Sequence, residues 1–308
     1  MKKIFYFLLF LSIYSLQAEV LKDFDVDGLI KSEKQYVKKI LRSEKYFIKG
    51  KKHGVFKTYY PKGELFTEKS YKNDVLDGFS NTYFKTGRLK IKEYYLNHQK
   101  EGLFRIYTKI GLLLEERNYK DGEKHGEFKK FYKTGEIREE KKFIHDRADG
   151  ISLTYDRKGK IQTERFYSKG NLTSEKFFNN QVKVGTYKDF HDNGKLKKVY
   201  TYKKGILEGP SNEYHESGNL KSEENYVTGK KHGVFSTYYE SGKIESTFTY
   251  NMDVLKLEKY YKDGLKHGTF KEYYNSGKLL NEISYFNNEK EGKENFYYET
   301  GGLKSEKN

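Results

Sequence analysis

Residues 49–71 read KGKKHGVFKTYYPKGELFTEKSY and contain the whole pattern that decides the fold. Gly54, which we call an anchor glycine, is followed by tyrosines five and six residues later and by Gly63, a loop glycine, nine residues later. After Gly63 come an aliphatic residue at the second position, Glu68 at the fifth and a tyrosine at the eighth. Side chains an even number of positions apart share one side of a strand, so Glu68 lies on the side opposite the other two. The stretch predicts two β-strands joined at the loop glycine.

The same pattern recurs along the chain. Its ten anchor glycines are Gly54, Gly78, Gly102, Gly126, Gly150, Gly185, Gly209, Gly233, Gly268 and Gly292. Neighbouring anchors are 24 residues apart except at two places, where the spacing is 35, or 24 plus 11. The extra eleven residues repeat the second half of the pattern. These half-repeats run from Gly159 to Gly170, from Gly242 to Asp253 and, near the start, from Gly28 to Lys39. A fixed period indicates a repeat array, and it favours turns as the place of the recurring glycines.

The residues between the strands predict two kinds of turn. Two polar residues and a glycine, as in Pro61-Lys62-Gly63, are typical of a three-residue hairpin loop that ends on a glycine with positive φ. The other connections, such as Lys72-Asn73-Asp74, are polar and predict looser turns. Each unit then has a strand of about six residues and one of about eight. We therefore predict an all-β fold, an elongated, solenoid-like, twisted antiparallel sheet of stacked β-hairpins.

The composition agrees with thin aromatic layers rather than one thick core. The 308 residues include 30 Tyr, 22 Phe, 28 Gly, only 2 Pro, and no Trp or Cys. The absence of Cys excludes disulfides, Cys-ligated metals and Cys nucleophiles. The formal net charge is +16, which is compatible with nucleic acid, anionic lipid or acidic polymers as partners and does not choose among them.

The N-terminal residues have the order of a secretory signal peptide. Lys2 and Lys3 precede a mostly apolar stretch over residues 4–16, and Ala18 offers a small residue for cleavage. The apolar stretch is shorter than the roughly 20 residues that a bilayer span needs. We predict a signal peptide over residues 1–18, an N-terminal cap and partial repeat over 19–49, and the repeat array over 50–308. Localisation is then export to the periplasm, the envelope or the medium.

The stretch from Lys49 to Gly54, with the tyrosine pair and Gly63, resembles a MORN repeat, and it is closer to the variant family that includes the YwqK-type antitoxin proteins of bacteria. Residues 121–126 and 263–268 repeat the signature, and the resemblance covers about residues 28–308. It implies a scaffold for protein assembly, dimerisation or membrane association. The antitoxin relationship implies neutralisation of a partner protein by binding.

No constellation in the chain is typical of catalysis or of a cofactor. Histidines precede the anchor glycine at His53, His125, His232 and His267, but other copies have Asp or Glu there, which favours a local hydrogen-bonding position over a metal ligand. The recurring glutamates, among them Glu68 and Glu140, favour cross-strand pairs with Lys or Arg because catalysis needs one asymmetric cluster. We predict a protein that is not an enzyme and has no cofactor and no metal.

The tyrosine pairs and one lysine cluster are the candidate partner-binding residues. They are Tyr59, Tyr60, Tyr238, Tyr239, Tyr273, Tyr274, Lys195, Lys197 and Lys198. Packing within the sheet and an exposed aromatic ladder remain alternatives for the tyrosines, as do a solvated surface and a basic stripe for the lysines.

Two functions compete on this evidence. One is an exported scaffold that binds a protein, and the other binds anionic lipid or wall polymer at the envelope. An antitoxin-like role rests on the resemblance alone. Nucleic acid is not expected because the chain offers no recognition module. Open sheet ends allow end-to-end self-association. The half-repeats around 159–185 and 242–268 are expected to bend the array or to carry a partner contact.

Overall fold

The computed structural model describes residues 18–308, so all but the last residue of the predicted signal peptide lies outside the described residues. The chain divides into two compact units. The first contains the described residues up to Asp149 together with Tyr155–Gly159, and the second contains Gly150–Thr154 and Lys160–Asn308. The described residues form strands and turns without a helix, which confirms the predicted all-β class.

The strands of the first unit are β1 (Ala18–Phe24), β2 (Ile30–Val37), β3 (Ile40–Ile48), β4 (Lys51–Lys52), β5 (Gly54–Tyr59), β6 (Leu65–Lys72), β7 (Val75–Tyr83), β8 (Leu89–Leu96), β9 (Gln99–Lys100), β10 (Gly102–Tyr107), β11 (Leu113–Lys120), β12 (Glu123–Phe131), β13 (Ile137–Ile144) and β14 (Arg147–Ala148). Each long strand pairs antiparallel with the next long strand, as β5 does with β6 and β6 with β7. The six- and eight-residue strands match the predicted lengths.

The second unit continues the same arrangement. Its strands are β15 (Gly150–Tyr155, of which Tyr155 belongs to the first unit), β16 (Ile161–Ser168), β17 (Asn171–Asn179), β18 (Val182–Lys183), β19 (Gly185–Phe190), β20 (Leu196–Lys203), β21 (Ile206–Tyr214), β22 (Leu220–Val227), β23 (Lys230–Lys231), β24 (Gly233–Tyr238), β25 (Ile244–Asn251), β26 (Val254–Lys262), β27 (Leu265–Lys266), β28 (Gly268–Tyr273), β29 (Leu279–Phe286), β30 (Glu289–Tyr297) and β31 (Leu303–Lys307). The hairpins follow one another in chain order.

The loop glycines adopt the predicted conformation. Gly63 has φ 98° and donates its N–H to the carbonyl of Tyr60 at 2.9 Å, while the N–H of Tyr60 bonds to the carbonyl of Glu64 at 2.7 Å. The same pair of bonds closes the loops at Gly135 and Gly277. These are three-residue hairpin loops whose last position requires glycine.

The second kind of turn is tighter than the sequence suggested. In the turn Asn73-Asp74 both central residues have positive φ, 51° and 70°, and Asn287-Asn288 repeats this with 51° and 74°. Two positive φ values define a two-residue type I′ turn, the connection whose twist matches that of the strands. The prediction of looser turns is wrong because Asn and Asp accept this left-handed conformation at small cost.

The anchor glycines lie at bulges of the paired strands. The prediction from their period, that they lie in turns, is wrong for them. Along β6 and β7, Lys69 pairs with Ser80 and Tyr71 with Leu76, so three residues of β7 around Gly78 stand opposite Ser70 alone. Gly78 has φ 109°, which other residues rarely adopt. The bulge also explains the two-residue strands such as β4, which lie before an anchor glycine.

Each strand has an aromatic face and a ladder face. We define the aromatic face as the side that carries the residue two positions after the anchor glycine and the aromatic residue eight positions after the loop glycine. Phe56 and Tyr71 meet there with ring centroids 4.8 Å apart, and Phe270 and Tyr285 repeat the contact at 4.7 Å. The ladder face is the opposite side, which carries the glutamates such as Glu68.

The half-repeats exchange these two faces. In the second unit, Glu164 lies on the ladder face of β16 and pairs with Lys176, which shares its side of β17 with Phe178. The rings of Phe178 and Tyr187 of β19 lie 6.1 Å apart, so the aromatic face of β17 and β19 is on the same side of the sheet as the ladder face of β16. In successive two-strand repeats, equivalent strands run in the same direction. One extra strand makes the equivalent strands that follow run in the opposite direction, so the same residue pattern places its aromatic side on the other side of the sheet.

The second half-repeat exchanges the aromatic and ladder faces a second time. Phe248 lies on the aromatic face of β25 and pairs with Glu258, which lies on the ladder face of β26. The rings of Phe248 and Tyr260 meet at 5.8 Å across this boundary. We call the region of β24, β25, β26 and β28 the second junction. No bend is needed to explain the 35-residue spacing, because an added strand accounts for it.

Candidate interaction surfaces

The ladder face is held together by tyrosine–glutamate hydrogen bonds. Tyr83 lies five residues after its anchor glycine and donates its hydroxyl to Glu68 at 2.6 Å. The same bond, always between residues 15 apart, recurs along the chain. The other pairs are Tyr59 with Glu44, Tyr155 with Glu140, Tyr238 with Glu223, Tyr273 with Glu258, and Tyr297 with Glu282. The predicted pairing of these glutamates with Lys or Arg also occurs, as between Arg105 and Glu116 at 2.7 Å. The prediction did not include the tyrosines as partners.

These bonds make the array sensitive to alkaline pH. Burial and the hydrogen bond to Glu68 raise the pKa of Tyr83 from 10.0 to about 12, and burial with the bond to Glu140 does the same to the pKa of Tyr155. Because the folded-state pKa lies above the unfolded value, this contribution to stability is complete below about pH 10 and is lost as the pH rises towards 12. In Glu68→Gln the pKa of Tyr83 is expected to fall, though not to its ordinary value, because burial remains.

Tyrosinate absorbance measures this effect. The difference between titrations of the wild type and of Tyr83→Phe isolates one of the 30 tyrosines. The same difference in the Glu68→Gln background is expected to show an earlier midpoint. An unchanged midpoint would contradict the role of Glu68.

The second tyrosine of each pair binds along the edge of the sheet. Tyr60 donates its hydroxyl to the carbonyl of Tyr83 at 2.9 Å, and Tyr274 donates to that of Tyr297 at 2.8 Å. Tyr239 reaches the carbonyl of Tyr261 at 3.1 Å across the second junction. All six candidate tyrosines therefore use their hydroxyls inside the array. They do not form one cluster, and among them the ring of Tyr239 is the most exposed, at 38 %.

The candidate lysines lie on the strand and loop around β20. Lys195 is exposed and donates to the carbonyl of Ser217 at 2.6 Å. Lys197 is exposed, whereas Lys198 is half-buried, pairs opposite Glu213 and places its Nζ 5.9 Å from the ring of Tyr200. Lys195 thus lies in the loop before β20, and Lys197 and Lys198 lie on opposite sides of the strand.

The aromatic face carries a lysine row that the sequence reading missed. Lys100 lies two residues before an anchor glycine, and its Nζ is 4.9 Å from the ring centre of Phe104 and 5.3 Å from that of Tyr119. The same contact with the eighth-position ring is made by Lys52, Lys124, Lys183, Lys231 and Lys266. Such cation–π contacts are worth about 0.5–1 kcal/mol at exposed sites.

The residues two before and two after the anchor glycine vary together. Six anchors combine lysine with Phe or Tyr, as Lys231 does with Phe235. Three combine an apolar residue with a buried serine, namely Leu76 with Ser80, Ala148 with Ser152, and Leu207 with Ser211. At the tenth, Lys290 forms an ion pair with Glu294 at 3.2 Å. The covariation follows from contact on one face, and comparison of the repeats would have revealed it.

The residue before the anchor glycine makes the predicted side-chain hydrogen bond where it is glutamate, but the prediction is wrong for His53, His125 and His267, whose buried Nδ1 atoms have no hydrogen-bond partner within the described residues. Where it is Glu101 or Glu208, the carboxylate accepts the N–H of the first turn residue 20 positions on, at 2.9 and 2.7 Å. Where it is a histidine, the turn supplies the acceptor instead, as Asp74 does for the N–H of Lys52 at 2.8 Å. Within residues 18–308 no group of three His, Asp or Glu residues could hold a metal ion.

An exposed apolar stripe crosses the ladder face of the first unit. It consists of the residues that directly follow three successive anchor glycines, Val55, Phe79 and Leu103, which are 39 %, 51 % and 38 % exposed. Tyr94 pairs with Phe79 on the same face, with ring centroids 5.2 Å apart. The sequence analysis missed this stripe although the position repeats, because it considered only the tyrosine pairs and one lysine cluster as candidate binding residues.

Comparison with known proteins identifies the repeats. The family model described as MORN repeat variant matches residues 52–73, 124–145, 183–204, 207–228, 231–252, 266–287 and 290–308. The chain is therefore a MORN-repeat protein. Each match begins at the residue two positions before an anchor glycine, which is a lysine in six matches and Leu207 in the other, and the first six end at the first residue of the two-residue turn that follows the hairpin.

Other comparisons add little. A search of the curated proteins finds no match. Among solved structures, the chain is similar to "Crystal Structure of TcdB2-TccC3", with 14% identity and a TM-score of 0.19, over 93% of this chain and 18% of that chain. The complex "TcdB2-TccC3-Cdc42" gives 11% identity and a TM-score of 0.18, over 92% and 19%. The chain thus spans less than a fifth of those chains, and such a likeness carries no argument.

Proposed function

We propose that this protein is an exported, non-catalytic scaffold that binds a partner protein through the apolar stripe Val55, Phe79 and Leu103. The stripe supports this because three successive repeats leave large apolar side chains in solvent on one face, while their tyrosine hydroxyls are used internally. Exposed apolar side chains that recur on one face of a sheet favour a protein interface.

Charged groups beside the stripe define the partner further. Lys92 places its Nζ 5.0 Å from the ring of Phe79, whereas Lys57 on the same face forms an ion pair with Glu68 at 3.8 Å. A partner with an apolar centre and a carboxylate placed near Lys92 complements this surface.

Substitution of the most exposed residue of the stripe tests the proposal. Phe79→Asp introduces a charge where the partner would bury an apolar ring, and we expect at least a tenfold loss of the captured protein in a pull-down from the source cell's envelope and secreted fractions. Ile110→Asp is the matched control, because Ile110 is 68 % exposed but lies in a loop off the stripe. Equal capture by both variants would contradict the assignment.

Export is supported by the sequence of residues 1–18. Cleavage after Ala18 would remove only the first residue of β1 and leave the array intact. Mass spectrometry of the exported form is expected to give Glu19 as its first residue, and a chain that retains Met1 would contradict this. Within residues 18–308 no helix is long and apolar enough to cross a membrane.

The lysine row favours a second candidate function, binding of anionic lipid or wall polymer. Its ammonium groups recur at the repeat spacing along the aromatic face. Salt separates the two candidates, because screening weakens electrostatic attachment far more than a packed interface. Material lost at high salt and insensitive to Phe79→Asp would favour the polymer. A toxin-like protein retained through Phe79 would favour an antitoxin-like neutraliser.

A further inference from the structure

The second junction contains an open cavity of about 510 Å³, within the range of roughly 300–1,000 Å³ for pockets that hold small molecules. It lies entirely in the second unit, where the loop after β24 meets the end of β26 and the first residues of β28. A three-residue loop and a two-residue turn become neighbours here because the extra strand moves the loops to the other edge of the sheet. The cavity is therefore a consequence of the half-repeat.

Two tyrosine rings line this cavity and remain exposed. Tyr239 and Tyr260 are each 38 % exposed, and both line the opening. Their hydroxyls are directed to protein partners, Tyr239 to the carbonyl of Tyr261 at 3.1 Å and Tyr260 to Glu258 at 3.4 Å. Fixed hydroxyls hold the rings in place, so their faces are preorganised to receive a flat apolar surface.

The polar groups of the cavity balance in charge. Glu245 and Glu258 contribute two carboxylates, and Lys262 and Lys271 contribute two ammonium groups. Within the described residues, the side chains of Glu245, Lys262 and Lys271 make no hydrogen bond or ion pair. His267 also lines the cavity, and its buried Nδ1 has no hydrogen-bond partner. The cavity thus offers both donors and acceptors without a net charge.

We propose that this cavity binds a short, uncharged oligosaccharide. A sugar ring has an apolar C–H face that packs on tyrosine, and its hydroxyls both donate to carboxylates and accept from ammonium groups. The two carboxylates would repel a strongly anionic ligand, and the two ammonium groups would repel a strongly cationic one. The hydroxyls of a neutral polyol can form hydrogen bonds with both pairs of groups. This inference is independent of the apolar stripe, which lies in the first unit.

The first junction provides a comparison within the same chain. At the positions equivalent to Glu245, Tyr260 and His267 it has Gln162, Phe177 and Val184. The first junction is the region of β16, β17 and β19, where β16 pairs with β17 in the same register as β25 pairs with β26. Backbone geometry alone therefore does not require the polar groups at the second junction, and the first junction is not expected to bind sugar.

Saturation-transfer NMR on the full-length protein tests the proposal, with diacetylchitobiose, cellobiose, maltose and lactose as probes. We expect signal from at least one disaccharide at millimolar concentration. Tyr260→Ala is expected to weaken binding at least tenfold, and Phe177→Ala, its equivalent at the first junction, is expected to leave it unchanged.

A second variant guards against a loss of folding. Glu245→Gln removes the charge of an exposed carboxylate that makes no hydrogen bond or ion pair within the described residues, so its fold is expected to persist while binding falls at least threefold. Absence of signal from all four disaccharides, or binding that survives both Tyr260→Ala and Glu245→Gln, would overturn the proposal. Phe79→Asp is expected to leave sugar binding intact, which separates this site from the protein interface.

Discussion

Gly78→Ala is expected to destabilise the first unit by about 2–5 kcal/mol. A left-handed backbone costs a residue with a Cβ about 1–2 kcal/mol, and overpacking adds about 1–3 kcal/mol. Both terms apply because Gly78 has φ 109° and a Cβ placed there would lie 2.9 Å from the Cβ of Ser70. The contact is with a short side chain held in a strand, so it cannot be relieved by rotation.

Gly102→Ala is the matched control for this prediction. Gly102 is also an anchor glycine, with φ 68°, but a Cβ there would have no atom within 4 Å. It is expected to cost only the backbone term of about 1–2 kcal/mol. Urea unfolding followed by circular dichroism measures both. Adding Ser70→Gly to Gly78→Ala should recover part of the loss, and equal effects of the two alanine variants would contradict the steric explanation.

Tyr187→Ala is expected to cost about 3–5 kcal/mol, the usual range for removing a buried aromatic side chain. Tyr187 is 1 % exposed, and its ring lies 4.9 Å from that of Tyr202 and 5.7 Å from that of Tyr200. Few residues of this array are so fully enclosed, so the neighbours have little other packing to replace it. The loss should appear as a lower urea midpoint for the second unit.

Tyr187→Phe separates the ring from its hydroxyl. The hydroxyl donates to the carbonyl of Phe177 at 2.9 Å, but this carbonyl also accepts the N–H of Val184 at 3.0 Å. Because the carbonyl keeps a partner, the loss should be about 1 kcal/mol or less. If phenylalanine cost as much as alanine, the hydrogen bond and not the ring would stabilise this position.

Much of the fold follows from local residue patterns. The loop at Gly63 was predicted because a three-residue loop needs a positive φ at its end, and the strand lengths follow from the spacing of glycines. The type I′ turn at Asn73-Asp74 was missed because its polar residues suggest a turn without fixing its length. The bulge at Gly78 was missed because period alone does not distinguish a bulge from a turn.

The candidate surfaces were less predictable, because they depend on which strands pair. Tyr59 and Tyr60 were recognised as special, but the pairing shows their hydroxyls bound to Glu44 and to the Tyr83 carbonyl. The sequence alone does not show which face of the sheet carries Phe79 or that its ring is exposed. The exchange of faces at the half-repeats requires the register of β25 and β26, which spacing alone does not provide.

The exchange of faces is the central claim, and engineered disulfides test it directly in a chain that has no cysteine of its own. Thr247, on the ladder face of β25, pairs with Lys259, on the aromatic face of β26. Directly opposite residues have Cα atoms about 4.5–5.5 Å apart, within the range of about 4.4–6.8 Å that a disulfide needs.

The measurement compares two double variants under mild oxidation, T247C with K259C and T247C with E258C. We predict that the first forms an intramolecular disulfide, detected by mass spectrometry of peptides, and that the second does not, because Glu258 lies on the opposite side of β26 from Thr247. A disulfide in the second variant and none in the first would show that the faces continue unchanged through the half-repeat, and would contradict the account.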